Sequence, residues 1–187
     1  MVQSLREGDR AAMEVIVARW QRPLFAFAWR YVHNNADAED LVVAAFVRLH
    51  EARARLRADT NLPAWLFTTL SNLCRNHHRW RRRHPEEPLD PGPDGTGGRE
   101  PALESAGRAP DGALQDDETG AAVRAAIDGL PDDQKTVLLL RHYERASCRE
   151  IAAIVGCSER GVETRLYRAR QRLRGRLAPL IAELLPR

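Results

Sequence analysis

The chain has 187 residues, of which 43% are hydrophobic and 29% charged, proportions that suit a soluble globular protein of one large or two small domains. Its 29 basic residues slightly outnumber its 26 acidic ones, for a formal net charge of +3. No apolar run approaches the roughly 20 residues that span a bilayer, and the N-terminus lacks a signal-peptide apolar core, so membrane and secreted classes are set aside.

In chain order, the first periodic stretch places Met13, Ile16, Trp20, Leu24, Phe27 and Tyr31 at spacings of three and four, which predicts helix. Pro23 suits a first helical turn, so one broken helix or two short ones fit this stretch. His33, Asn34 and Asn35 mark a turn. The next helix is predicted from about Asn35 or Asp37 to Ala54, with a buried stripe of Ala38, Leu41, Val42, Ala45, Phe46 and Leu49. Asp59, Thr60 and Asn61 form another turn, and Pro63 opens a fourth helix. Residues 85–120 hold ten acids, two Arg, six of the eleven Pro and seven of the twelve Gly, with no aromatic residue. Such a segment buries too little apolar surface to offset its ordering entropy and reads as a flexible acidic linker. As a coil its ends would lie roughly 30–35 Å apart, and fully extended about 120 Å. A short helix with Val123, Ala126 and Ile127 follows, broken at Leu130 and Pro131. Asp132 or Asp133 then caps a helix containing Val137, Leu138 and Leu140. Val and Ile are too sparse, and alternation too rare, for a sheet. The predicted class is all-α: a helical domain over residues 1–84, the linker over 85–120 and a second helical domain over 121–187.

The chemistry sits in two basic helices. All basic residues except Lys135 are Arg, whose planar fork of donors matches phosphate and carboxylate. At about 100° per residue, the fourth helix puts Leu62, Trp65, Leu66, Thr69, Leu73 and Trp80 on one side. Thr68, Ser71, Asn72, Arg75, His78, Arg79 and Arg82 fall on the other, a strip of guanidinium, amide, hydroxyl and imidazole with no acid. That composition serves phosphates and base edges, and equally a solvated helix face. In the second domain, Ser147 and Glu150 have capping-box spacing, Ile151, Ile154 and Val155 share a face, and Gly156, Cys157 and Ser158 supply a turn and a fresh cap. The following helix buries Val162, Leu166, Ala169 and Leu173 and carries seven Arg between Arg160 and Arg176. Together these make a helix-turn-helix whose second helix can enter a major groove. Its DNA-facing candidates are Ser158, Arg160, Gly161, Thr164, Arg165, Tyr167 and Arg168. The third helix should expose Asp37, Asp40, Ala44, Val47, Arg48 and Glu51, a mixture of acids and apolar groups that suits a protein partner and also an ordinary surface. Cys74, His77 and His78 bring together too few donors for a structural zinc, and no phosphate loop, nucleophile elbow or paired metal motif is present. No cofactor, no metal and no catalytic residue are therefore expected. Three scattered Cys argue against a disulfide framework and fit a reducing cytoplasm.

Two segments carry a family resemblance. Asp37 to His50, followed by Leu62 to Leu73, resembles region 2 of bacterial RNA polymerase sigma factors; Leu130 to Tyr143, with Ser147 to Arg172, resembles their region 4. The layout without a region 3 looks like the extracytoplasmic function (ECF) subgroup of the sigma-70 family. The resemblance implies a promoter-specificity subunit that docks on core RNA polymerase. Asp37, Asp40, Ala44, Val47 and Arg48 would meet the clamp coiled coil of the largest subunit. Ser71, Asn72, Arg75, His78, Arg79 and Arg82 would contact and melt the −10 element of promoter DNA, where the family turns a base out of the stack. Region 4 would read the −35 element and touch the polymerase flap, and an anti-sigma factor is expected as a regulatory partner. The family usually has Gln-Glu where this chain has Val43-Ala44, which alters the expected docking contact. A stand-alone helix-turn-helix regulator is the alternative reading, and an enzyme fused to such a module finds no supporting motif.

Overall fold

The computed structural model describes the backbone of residues 1–84 and 115–184; the side chains of Arg82, residues 115–118, Ile181, Glu183 and Leu184 lie outside the described set. The described residues form α-helices and no strand: α1 Val2–Arg6, α2 Arg10–Val32, α3 Asn35–Ala52, α4 Leu62–Arg83, α5 Gln115–Asp128, α6 Asp132–His142, α7 Cys148–Val155 and α8 Glu159–Leu184. A 3-10 turn, Arg53–Arg55, follows α3.

Local chemistry sets most of these boundaries. The Asp9 carboxylate accepts from Ala11 N at 2.9 Å to start α2, Asn34 accepts from Asp37 N at 3.0 Å to start α3, and Asn61 accepts from Ala64 N at 3.1 Å to start α4. Each satisfies one of the donors that the first helical turn leaves open. His33 ends α2 in the left-handed region at φ 54°, which reverses the chain into α3. Pro23 does not break α2. Its ring deprives the Arg19 carbonyl of a helical donor, but Arg19, Gln21 and Arg22 are exposed, where water can serve, and buried Ile16, Leu24 and Phe27 anchor both flanks. The six-residue stripe predicted for α3 is buried as a set. α1, for which no periodicity was read, docks through Leu5, which is 1% exposed. α6 begins at Asp132 behind Pro131, and no side chain caps it, so the predicted Asp cap is replaced by two acids inside the first turn. α5 extends N-terminally to Gln115, so residues 115–120, expected in the linker, are helical; the rest of the predicted linker, residues 85–114, lies outside the described residues.

α2, α3 and α4 pack around Phe27, with Phe67 edge-on at 5.7 Å between ring centroids. α6, α7 and α8 enclose Val137, Leu140, Ile151, Val162 and Leu166. The two groups do not stay apart. α4 packs against α7 and α2 against α6, and the buried apolar residues form one continuous cluster. Consequently α6 is enclosed on nearly every side, and Gln134, Lys135 and Thr136 are buried together with its apolar residues.

Candidate nucleic-acid interface

α4 runs for 22 residues, about 33 Å at 1.5 Å per residue. It is buried along Leu62, Leu66, Phe67, Leu70, Ser71 and Cys74, a face rotated from the predicted one because α4 is covered by α2 and α3 on one side and by α7 on another. Two placements are thereby corrected. Ser71 is 1% exposed with no hydrogen-bond partner for its hydroxyl, so it faces the core and not a ligand. Trp80, expected inside, is 50% exposed and stacks on His84 with ring centroids 5.0 Å apart. Cys74 is also buried, and burial pushes its thiol up to about 12, despite the neighbouring charge of Lys135. His77 and His78 each approach a carboxylate instead of Cys74, and the described residues contain no group of three or more His, Cys, Asp or Glu that could hold a metal ion.

Along the polar face, Asn72 is exposed and accepts a hydrogen bond from the half-buried Arg75 through its side-chain oxygen. One turn on, His78 Nδ1 lies 3.1 Å from Asp132 Oδ1 and Arg79 Nε donates to Asp132 Oδ2 at 3.3 Å. Asp132 belongs to α6, so the second half of the chain already occupies two of the predicted −10 contacts. Arg81 donates to Asp37 Oδ2 at 3.2 Å, and His77 Nε2 lies 3.2 Å from the same oxygen, off the hydrogen-bond axis. Asp37 thus ties α3 to α4 and is half-buried. Asp40 and Arg48 are exposed, Val47 is 50% exposed and Ala44 half-buried; Val43, which stands at one of the family's usual Gln-Glu positions, is 59% exposed beside them.

The helix-turn-helix is built as its capping residues dictate. Ser147 Oγ accepts from Glu150 N at 3.2 Å, while Glu150 Oε2 accepts from Ser147 N at 2.8 Å and from its hydroxyl at 2.7 Å. The backbone N–H of Ser147, then its hydroxyl, hold the Glu150 carboxyl below its ordinary value. Gly156 closes α7 at φ +68°, a conformation that a side chain would strain. Ser158 Oγ accepts from Gly161 N at 3.1 Å, so Ser158 starts α8. A Cβ on Gly161 would meet Cys157 Sγ at 3.3 Å and Ser158 Oγ at 3.4 Å, which makes this glycine a packing position against the turn. Thr164 is exposed and its hydroxyl donates back to Arg160 O at 2.8 Å. Arg165 is half-buried and pairs with Asp133 Oδ2 at 3.4 Å. Arg160, Tyr167 and Arg168 are exposed, Tyr167 by 64%, and neither Arg160 nor Arg168 is ion-paired with a described residue. Of the seven −35 candidates, these three and Thr164 form the outward face. Arg82 cannot be placed, its side chain lying outside the described set.

Between the two basic helices runs a polar seam that the residue pattern did not announce. Lys135 is 0% exposed. Its ammonium donates to Tyr31 O at 2.7 Å and to Asp128 Oδ1 at 2.8 Å, and sits 4.4 Å from the Tyr31 ring centroid. His33 Nε2 lies 3.0 Å from the same Asp128 oxygen. Burial pushes the Asp128 carboxyl up, but the hydrogen bonds of His33 and Lys135 and the charge of Lys135 outweigh it and hold it below its ordinary value. Burial, helped by the charge of Asp132, moves the Tyr31 phenol well above its usual range. Nearer the middle of α4, Thr68 Oγ1 donates to Ile154 O of α7 at 3.0 Å. The sole lysine was the available signal, since a single Lys in an Arg-rich chain marks a position that wants a compact point charge.

Comparison with known proteins bears on both halves. Residues 16–84 match the family model for Sigma-70 region 2, and residues 120–173 the model for Sigma-70, region 4. The RNA polymerase sigma-H factor of Pseudomonas aeruginosa is 30% identical over 190 residues, covering 98% of this chain and 95% of that protein. The ECF RNA polymerase sigma-E factor of Escherichia coli K12 is 28% identical over 186 residues, covering 97% and 94%. Among solved structures, the sigma factor RpoE of Bartonella quintana, in complex with the anti-sigma factor NepR, superposes with a TM-score of 0.60 at 28% identity, over 88% of this chain and 96% of that one.

Proposed function

The chain belongs to the sigma-70 family of RNA polymerase sigma factors, in its ECF subgroup, and from that premise we propose how its two basic helices divide one promoter between them. It is an alternative sigma factor that acts in transcription initiation. The outward face of α8, with Arg160, Thr164, Tyr167 and Arg168, reads the −35 element in the major groove; Arg donates twice to guanine, and the capping box and Gly156 fix the angle of entry. Asn72, Arg75, His78 and Arg79 of α4 take the −10 element as a melted strand, where aromatic and guanidinium planes accept unstacked bases. Asp40, Val43, Val47 and Arg48 of α3 dock on the polymerase, the two valines supplying the apolar patch that Val43-Ala44 substitutes for the family's usual polar pair. The partners are core RNA polymerase, promoter DNA and an anti-sigma factor, the site of action is the cytoplasm, and the chain adds no catalysis of its own. Among the described residues no helix is long and apolar enough to cross a membrane.

The observation that carries this reading is the order of the two matches, a region 2 with a basic polar helix followed by a region 4 with an exposed arginine face. A stand-alone regulator has no use for the first match and is not favoured. Run-off transcription tests the reading: purified chain added to core polymerase should start transcripts at discrete promoters that core alone ignores. A chain that never co-elutes with core polymerase, yet gel-shifts an operator by itself, would establish the regulator instead.

A further inference from the structure

We propose that Glu163 determines sequence preference, its carboxylate accepting from the N4 amine of a cytosine in the −35 element, close to the base that Arg160 reads. This rests on the assignment of α8 to that element and names a determinant within it. Between Arg160 and Arg176 the helix carries seven Arg and one acid, Glu163, whose side chain is exposed. A carboxylate brought against a polyanion is repelled, so its place on a DNA-facing helix asks for a physical reason.

The ordinary reasons for a helical Glu are missing. α8 begins at Glu159, whose charge already meets the positive end of the helix dipole, and Glu163 lies beyond that first turn. Its neighbours four positions away are Glu159 and Tyr167, so no basic residue stands at the favoured spacing for a helical ion pair. Arg160, three positions back, is near enough, yet Glu163 is paired neither with it nor with any other described residue. The chemistry along α8 is also sorted. From Arg168 to Arg176 the charged residues are five Arg and no acid, a uniform charge that suits phosphates. Arg, Glu, Thr and Tyr are mixed only over residues 160–167, the early turns that meet base edges in a helix-turn-helix. At 3.6 residues per turn, Glu163 stands about 60° round the axis from Arg160 and about 40° from Tyr167, both exposed.

A carboxylate can only accept. In the major groove guanine offers acceptors alone, and thymine an acceptor and a methyl group. Adenine has an amine but sets the N7 acceptor beside it, where a second carboxylate oxygen would be repelled; cytosine offers its amine without that neighbour. Cytosine is therefore the base that Glu163 fits. Three residues advance a helix by about 4.5 Å, against about 3.4 Å for one base-pair step, which puts this cytosine one or two base pairs from the base that Arg160 contacts.

The test uses the full chain with core polymerase and a promoter library randomised across the −35 element, with the transcribed templates sequenced. Wild type should enrich cytosine over thymine by about fivefold or more at one position. Gln keeps the length of Glu and pairs with adenine N6 and N7, so Glu163→Gln should turn that position from cytosine towards adenine, a change of about tenfold in their ratio. Glu163→Ala should erase the preference there alone. In both variants the position that Arg160→Ala relaxes, and the preferences within the −10 element, should stay as in wild type, which reports that the variants fold and dock. Variants that raise initiation on every template alike, with every base preference unchanged, would show a carboxylate that only repels DNA and would overturn the proposal. A wild type that enriches no −35 motif would overturn the assignment of α8 itself, an outcome read before any variant is made and so distinct from a failure of Glu163.

Discussion

Replacing Lys135 by Met keeps the aliphatic stem in its slot and removes only the ammonium. Three interactions go with it: the bond to Tyr31 O at 2.7 Å, the ion pair to Asp128 at 2.8 Å and the stacking over Tyr31 at 4.4 Å. Removing one partner of a buried ion pair costs about 3–5 kcal/mol, but the Asp128 side chain is 36% exposed and keeps His33, so about 1–2 kcal/mol is the share left for this pair. The orphaned carbonyl and the lost cation–ring contact add about 1–2 kcal/mol together. Against this stands the relief of no longer desolvating an ammonium, which Met turns into a modest gain. The net expectation is a loss of about 2–3 kcal/mol, which for a chain of this size lowers the melting temperature by roughly 4–12 °C. Differential scanning calorimetry of both proteins at pH 7 measures it. A variant that melts within 1 °C of wild type, or above it, would show that the buried lysine is no net support for the closed form and would refute the reasoning from its contacts.

Other consequences are as direct. The Asp128 carboxyl titrates below its unfolded value near 3.9, so its contribution is present above that pH and is lost as pH falls through the lower folded value. Burial raises Glu144, which acts in the opposite sense, so the loss belongs to Asp128 only if urea midpoints between pH 5 and 2.5 fall less steeply in Asp128→Asn. Iodoacetamide at pH 7.5 should label the half-exposed Cys148 and Cys157 in native protein and spare Cys74, whose thiol is buried and pushed up to about 12; mass spectrometry of the tryptic peptides reads the pattern. Arg160→Ala and Arg168→Ala should each weaken −35-dependent initiation by about 1–3 kcal/mol in run-off assays, and unchanged promoter choice in both would remove them from the reading face.

How far the residues foretell the structure depends on how many neighbours a helix has. α3 packs mainly against α2 and α4, and its buried stripe was legible from spacing alone. α4 touches α2, α3 and α7, so a two-sided helical wheel put Ser71 on the wrong side and Trp80 in the core. The helix-turn-helix was legible because its signals are local: a cap, a left-handed glycine and a second cap within a dozen residues. The roles of Asp37 and Asp132 were not, because each is decided by a partner 44 to 54 positions away. Lys135 was missed for the same reason. A charged residue in an amphipathic pattern reads as surface, and only the arrival of α2 over α6 encloses it.

That enclosure has a chemical corollary. With one lysine in the sequence, and that one sealed in the seam, the folded chain offers no lysine amine on its described surface. An acylating ester, or an enzyme that tags lysine, finds its target only during excursions that separate the halves. The modification state of this one side chain is therefore a chemical memory of how often the molecule has come apart.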